Sequence, residues 1–152
     1  MKRHSELLAE FEQFARSKPG AMALMQRISD RLHEELTRYN WVGFYLIDKQ
    51  DPGVLVLGPF AGTDTPHRRI PINKGLCGAA ASTKKTIVVN DVASDPRYLV
   101  GSEHTKSEII VPIMVRNQVT GEFDINSYFK DTWDKKQQEF VESCAVTVGK
   151  HL

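Results

Sequence analysis

The sequence predicts an α+β fold: a mostly antiparallel sheet, interrupted by one short helix and flanked by N- and C-terminal helices that pack on one face. Three observations lead there. Apolar residues recur at three- and four-residue spacing near both ends of the chain. Between the ends lie segments rich in aromatic and β-branched residues, separated by turn signals as in hairpins. A chain of 152 residues is also the usual size of one domain and buries roughly two-thirds of its unfolded surface. A single domain over residues 1–152 is therefore expected.

The elements follow in order. Residues 5–17 place Leu7, Leu8, Phe11, Phe14 and Ala15 on one helical face, with Glu6, Glu10 and Glu12 between them. Lys18-Pro19-Gly20 breaks that helix, and a second one carries Leu24, Met25, Ile28, Leu32 and Leu36 to about Tyr39-Asn40. The period then changes. Residues 41–48 and 54–60 form two strands around the turn signal Asp51-Pro52-Gly53. A short strand at 69–72, an Ala-rich helix at 76–81 and a strand at 87–89 precede a long loop, 90–106. A loop of that length in a compact domain is usually functional or mobile. Strands at 107–115 and 119–127 and a helix at 132–152 complete the chain, the last with Phe140, Val141, Cys144, Ala145 and Val148 on its apolar face.

The last hairpin has the most informative pattern. Ile109, Val111, Ile113 and Val115 alternate with Glu108, Ile110, Pro112 and Met114, and Val119, Gly121, Phe123 and Ile125 alternate with Thr120, Glu122, Asp124 and Asn126. For both apolar faces to meet one core, the connection needs an odd number of residues, since a one-residue slip moves Asp124 among the isoleucines. A three-residue loop, Arg116-Asn117-Gln118, pairs Val115 with Val119, Glu108 with Asn126 and Ile110 with Asp124. Glu108, Asp124 and Asn126 then converge on a face that also bears Ile110, Pro112 and Met114. That describes either a pocket with a few orienting polar groups or a plain solvent-exposed sheet face.

Composition bounds the rest. Twenty Lys and Arg balance nineteen Asp and Glu, and the basic residues are scattered, so no nucleic-acid partner is expected. No apolar run reaches the roughly 20 residues needed to span a bilayer, and Met1-Lys2-Arg3-His4 leads into an acidic amphipathic segment; a cytoplasmic, non-membrane protein is expected. Cys77 and Cys144 are too few for a disulfide framework and fit a reducing compartment. Cys144 lies on an apolar helical face and belongs to the core. His67 and His104 could join Cys77 at a metal, but no ligand spacing supports this; no metal or cofactor is expected. Asp91 and Asp95 read as turn formers.

The segments NWVGFYL, VLGPFAG, RIPINKGLCG, NDV, SEIIVPI and GEFDINS resemble, in the same order and spacing, the GAF-domain free methionine-(R)-sulfoxide reductases. The resemblance runs from about Asn40 to the C-terminus. It implies a GAF-type fold with a six-stranded antiparallel sheet, a ligand cavity between sheet and loops, and frequently a homodimer. It also implies that Trp41, Tyr45, Glu108 and Asp124 hold the amino-acid part of a ligand, with Asn126 in place of a second acid.

The chemistry is where the match fails. The reductases' nucleophilic and resolving cysteines match Gly101 and His67 here, and neither residue can attack sulfur or release it as a disulfide. Cys77 matches the family's cysteine in the GLCG segment. Alone it would form a sulfenic acid and need an external reductant; its other reading is a small packing residue at a helix start, where a thiol pKa is lowered.

The function expected from the sequence is thus a sensory or regulatory GAF domain binding a small polar or amino-acid-like ligand through Trp41, Tyr45, Cys77, Glu108, Asp124 and Asn126, without redox catalysis. The alternatives are a divergent free methionine-(R)-sulfoxide reductase using Cys77, and a scaffold that only dimerises.

Overall fold

The computed structural model describes residues 2–152. Helices α1 (Lys2–Arg16) and α2 (Ala21–Glu35) lead into strands β1 (Trp41–Ile47), β2 (Val54–Ala61) and β3 (Arg69–Pro71). Helix α3 (Gly75–Thr83), strand β4 (Ile87–Val89), a single 3-10 turn (Val92–Ser94), strands β5 (Ser107–Val115) and β6 (Gln118–Ser127), and helix α4 (Lys135–Gly149) follow. The six strands form one antiparallel sheet in the order β3-β2-β1-β6-β5-β4. Among the described residues no helix is long and apolar enough to cross a membrane.

The period of two sorts the strand side chains onto two faces. One face buries Val42, Phe44, Ile109, Val111, Ile113, Phe123 and Ile125 under α1, α2 and α4, whose own contributions include Phe11, Ile28 and Cys144. Phe44 and Phe123 lie cross-strand from one another and stack with their ring centres 4.3 Å apart. The opposite face carries Trp41, Tyr45, Leu55 and Ile110 and is covered by α3, through Leu76, Cys77 and Ala80. The N- and C-terminal helices therefore share one face, and the inserted helix holds the other.

Helix α2 stops at Glu35, short of the expected 39–40. Leu36 turns extended while its N–H still bonds Leu32 O, and Tyr39 N–H closes a turn onto Leu36 O. Leu36 and Tyr39 pack against the core from that turn, so the apolar pattern outlasts the helix. Helix α4 begins at Lys135, three residues later than the periodicity suggests, because Asp134 caps it by accepting from Gln137 N–H.

The hairpin between β5 and β6 corrects the expected connection. Its loop is two residues, Arg116 and Asn117, with φ of 51° and 64°, the signature of a type I′ turn. Val115 pairs with Gln118 and Met114 with Val119, yet from Ile113 and Gly121 onward the register is the expected one, Ile110 opposite Asp124 and Glu108 opposite Asn126. An irregularity at Ile113/Met114 supplies the odd residue that the faces demand. The Thr120 hydroxyl donates to Ile113 O there (3.1 Å).

Candidate functional site

Beneath α3 and two loops, the second sheet face holds a cavity of about 60 Å³, lined by residues of β1, β5, β6, α3 and the segments 63–67 and 99–105. By the measure in which one water needs about 10–15 Å³, it has room for roughly four to six water-sized groups. All six residues expected at the site line it: Trp41, Tyr45, Cys77, Glu108, Asp124 and Asn126. The exposed-face reading is excluded, since Glu108 and Asp124 keep only 7% and 5% of their surface.

Strand β1 supplies the aromatic wall. Trp41, Gly43 and Tyr45 point to the cavity face, and the Trp41 ring lies back across Gly43: a Cβ there would meet Trp41 Cη2 at 2.4 Å and Phe60 Cβ at 2.8 Å. Glycine is the one residue that lets the indole lie flat on its own strand. Phe60 stacks against the indole at 5.6 Å, and Trp41 Nε1 donates to Thr63 O (3.0 Å). The Tyr45 hydroxyl donates to His67 O (2.7 Å), and burial, then the nearby Asp124, push its pKa upward. Both polar tips are thus spent on holding the loop that walls the cavity.

Beside this wall, on the neighbouring strands β6 and β5 of the same sheet face, lie the acids. Strand pairing sets Glu108 across from Asn126, and Asn126 Nδ2 reaches both Glu108 Oε2 (3.4 Å) and Asp124 Oδ1 (3.3 Å). Burial first, then the neighbouring Asp124 charge, holds Glu108 far above the ordinary carboxylate range; Asp124 is also raised by burial. The two acids titrate as a pair. No Lys or Arg lines the cavity; the one basic side chain in its lining is His67, whose charge pulls the Asp124 pKa down against the effect of burial.

A third acid lies below. Glu122, on the same face of β6 and cross-strand from Tyr45 and Pro112, is fully buried, and neither carboxyl oxygen has a hydrogen-bond partner. Burial lifts its pKa to about 8. The Cys77 thiol is its electrostatic neighbour, short of hydrogen-bond geometry. The thiol in turn is driven well above its ordinary pKa by burial and then by Asp124, Glu122 and Glu108. A place near a helix start would lower it, but desolvation and three carboxyls outweigh that effect. Cys144 is fully buried in the helical core, as expected.

The loops close the cavity. His67 Nε2 lies 2.8 Å from Val100 O; a carbonyl only accepts, so this nitrogen carries the proton. Asp91 Oδ1 accepts from Ala93 N–H and Asp95 Oδ1 from Arg97 N–H, the turn roles expected of them. His104 is exposed and turned toward Tyr128. Among the described residues no cluster of three or more His, Cys, Asp or Glu is arranged to hold a metal ion.

Sequence reasoning missed two kinds of contributor. Glu122 was visible as the next polar residue on the Asp124 face, two positions away, and the period of two assigns it to the same side. Thr63, Thr65, Leu99 and Thr105 line the cavity from loops, where no periodic signal marks which side chains turn inward.

A buried acid pair, an aromatic wall and a loop-covered cavity lie together on one face of the antiparallel sheet of an α+β domain. The chain belongs to the GAF domain family, which it matches over residues 22–152. It is 33% identical over 146 residues to protein YtsP of Bacillus subtilis, covering 96% of this chain and 88% of that one. It is also 33% identical to the free methionine-R-sulfoxide reductase of Escherichia coli, covering 82% and 73% of the two chains. Among solved structures, the free methionine-R-sulfoxide reductase of Neisseria meningitidis in complex with its substrate superposes with a TM-score of 0.90 at 30% identity, covering 97% of this chain and 87% of that one.

Proposed function

We propose that this domain binds a small amino-acid-like molecule through its ammonium group, as a sensory or regulatory module without redox turnover. The observation that carries the reading is the pairing of Glu108 with Asp124 inside a cavity that no Lys or Arg lines. Two buried acids with only the half-buried His67 as a basic neighbour are costly alone and are relieved when a ligand ammonium arrives. Trp41 and Tyr45 supply the apolar wall for the rest of the ligand.

The second reading, a reductase acting on free methionine-(R)-sulfoxide, is favoured by the names of the relatives. The state of Cys77 weighs against it. Sulfoxide reduction needs a thiolate nucleophile, and this thiol is buried among three carboxyls that hold its proton in place. The third reading, a scaffold that only dimerises, leaves a cavity lined by buried acids without a purpose. A homodimer in a reducing compartment is compatible with the binding role and belongs to the same proposal.

The test is incubation of the purified chain with methionine-(R)-sulfoxide and a dithiol reductant, following melting temperature and free methionine together. The expected result is stabilisation without methionine; a ligand at 100 times its Kd adds about 2.7 kcal/mol. Methionine release abolished by Cys77→Ser would establish the reductase instead, and no melting shift with any amino acid or sulfoxide would leave the scaffold.

A further inference from the structure

A second concavity lies outside the cavity described above. Strand β4 is only three residues long and pairs with β5 at Glu108, Ile109 and Ile110. From Val111 to Val115, β5 has β6 on one side and no strand on the other. Pro112 falls in this half, where a residue without an N–H is tolerated. An open groove of about 550 Å³ runs along the bare edge, between α3's C-terminal end and α4.

The groove has an apolar floor and a basic rim. Pro112, Met114, Val115 and Val146 contribute the floor, and Val146 is 60% exposed, second only to Val100 among the large apolar side chains of the described residues. Around it stand Lys84, Lys85, Arg116 and Lys150, against the single carboxylate of Glu142. Glu142 is already engaged, accepting from the Thr86 hydroxyl and from Gln138 Nε2. Lys84 reaches across to Asn117 O (3.1 Å) and ties α3 to the hairpin turn. Lys85, Arg116 and Lys150 are exposed, and their charged side-chain groups have no hydrogen-bond or ion-pair partner among the described residues.

We propose that this groove docks an extended acidic segment of a partner protein, five or so residues laid along Val111–Val115 with carboxylates on the basic rim and an apolar side chain on Val146 and Met114. The bare edge spans about 17 Å at the strand rise of about 3.3 Å per residue, which sets the length of the segment. An apolar floor ringed by like charges is the anatomy of a protein docking patch, and the ring decides the sign of the partner. A second copy set face to face would oppose four cations to four. A membrane surface cannot enter a concavity between a strand edge and a helix, and a chain whose cations and acids nearly cancel lacks the basic stripe of a nucleic-acid site. This surface is independent of the cavity ligand.

The experiment measures binding of a labelled peptide alternating Glu with Val and Leu to the full chain, beside the same peptide with Gln for Glu, a DNA duplex, and vesicles containing anionic lipid. The acidic peptide is expected to bind, at least about tenfold more weakly at high salt than at low. It should weaken about tenfold in the Lys85→Glu, Arg116→Glu, Lys150→Glu variant and severalfold in Val146→Ser, while Glu108→Gln leaves it unchanged. All four substituted groove positions are exposed, and an unchanged melting temperature verifies that the variants fold. Equal binding of the Gln peptide, no loss in the charge-reversed variant, tighter binding of duplex or vesicles, or self-association abolished by the same charge reversal would overturn the proposal.

Discussion

The imidazole of His67 occupies the space beside the bare Cα of Gly101: a Cβ on Gly101 would lie 3.4 Å from His67 Cδ2 and 3.9 Å from Nε2. These are the two positions that the sequence resemblance sets against the reductases' reactive cysteines, and the fold keeps them in contact. A Cβ at 101 would meet only ordinary van der Waals neighbours, and its backbone is outside the left-handed region. The His67→Cys, Gly101→Cys variant should therefore form a disulfide under mild oxidation, its free-thiol count falling by two against the reduced protein. If both introduced thiols titrate freely after oxidation, the two loops do not meet in solution.

Glu108→Gln should stabilise the domain while removing its ligand affinity. The substitution keeps shape and hydrogen-bonding capacity but takes one acid from a buried pair. A gain of about 1–2 kcal/mol in a denaturant titration, with at least a tenfold loss in affinity for an amino-acid ligand, is the expected trade-off. A destabilised variant would mean that the pair holds the fold rather than the ligand.

Glu122 gives the domain an unusual pH dependence. Its folded pKa of about 8 stands above the ordinary 4.5, so the folded state holds a proton that the unfolded state releases. Stability from this group is complete below pH 4.5 and is lost as pH rises through 8. Glu122→Gln is neutral throughout; its melting temperature should match the parent near pH 5 and exceed it by about 5–10 °C near pH 9. Parallel curves for the two proteins would show that Glu122 finds a partner in solution.

Gly43→Ala tests the aromatic wall. The new methyl would fall 2.4 Å from Trp41 Cη2, so the indole must swing away and release Thr63 O. A destabilisation of about 1–3 kcal/mol is expected from such overpacking, together with red-shifted tryptophan fluorescence and loss of ligand-induced stabilisation. Unchanged fluorescence would place the indole elsewhere.

The sheet was the most legible part of the chain, because period two on β5 and β6 fixes which side chains share a face. That one regularity brings Glu108, Asp124 and Asn126 together from the sequence alone. The β5–β6 connection was not legible: Arg116 adopts a left-handed conformation that its type does not announce, and the compensating irregularity has no residue signature. The end of α2 was hidden for a different reason. Leu36 and Tyr39 continue the apolar spacing from a turn, so hydrophobicity there reports burial and not helix. Nor does spacing reveal that Cys77 sits among three carboxyls, since that arrangement joins α3 to β5 and β6 across the sheet.

The short Arg116-Asn117 turn and the extra residue beside Met114 have to be considered together. Adding one residue to the tip can be absorbed by smoothing the irregular pair, with nothing beyond Ile113 displaced. Sequences that differ by a single gap at this tip can therefore keep identical acids in the cavity, and an alignment that forces the gap elsewhere would misassign both carboxylates.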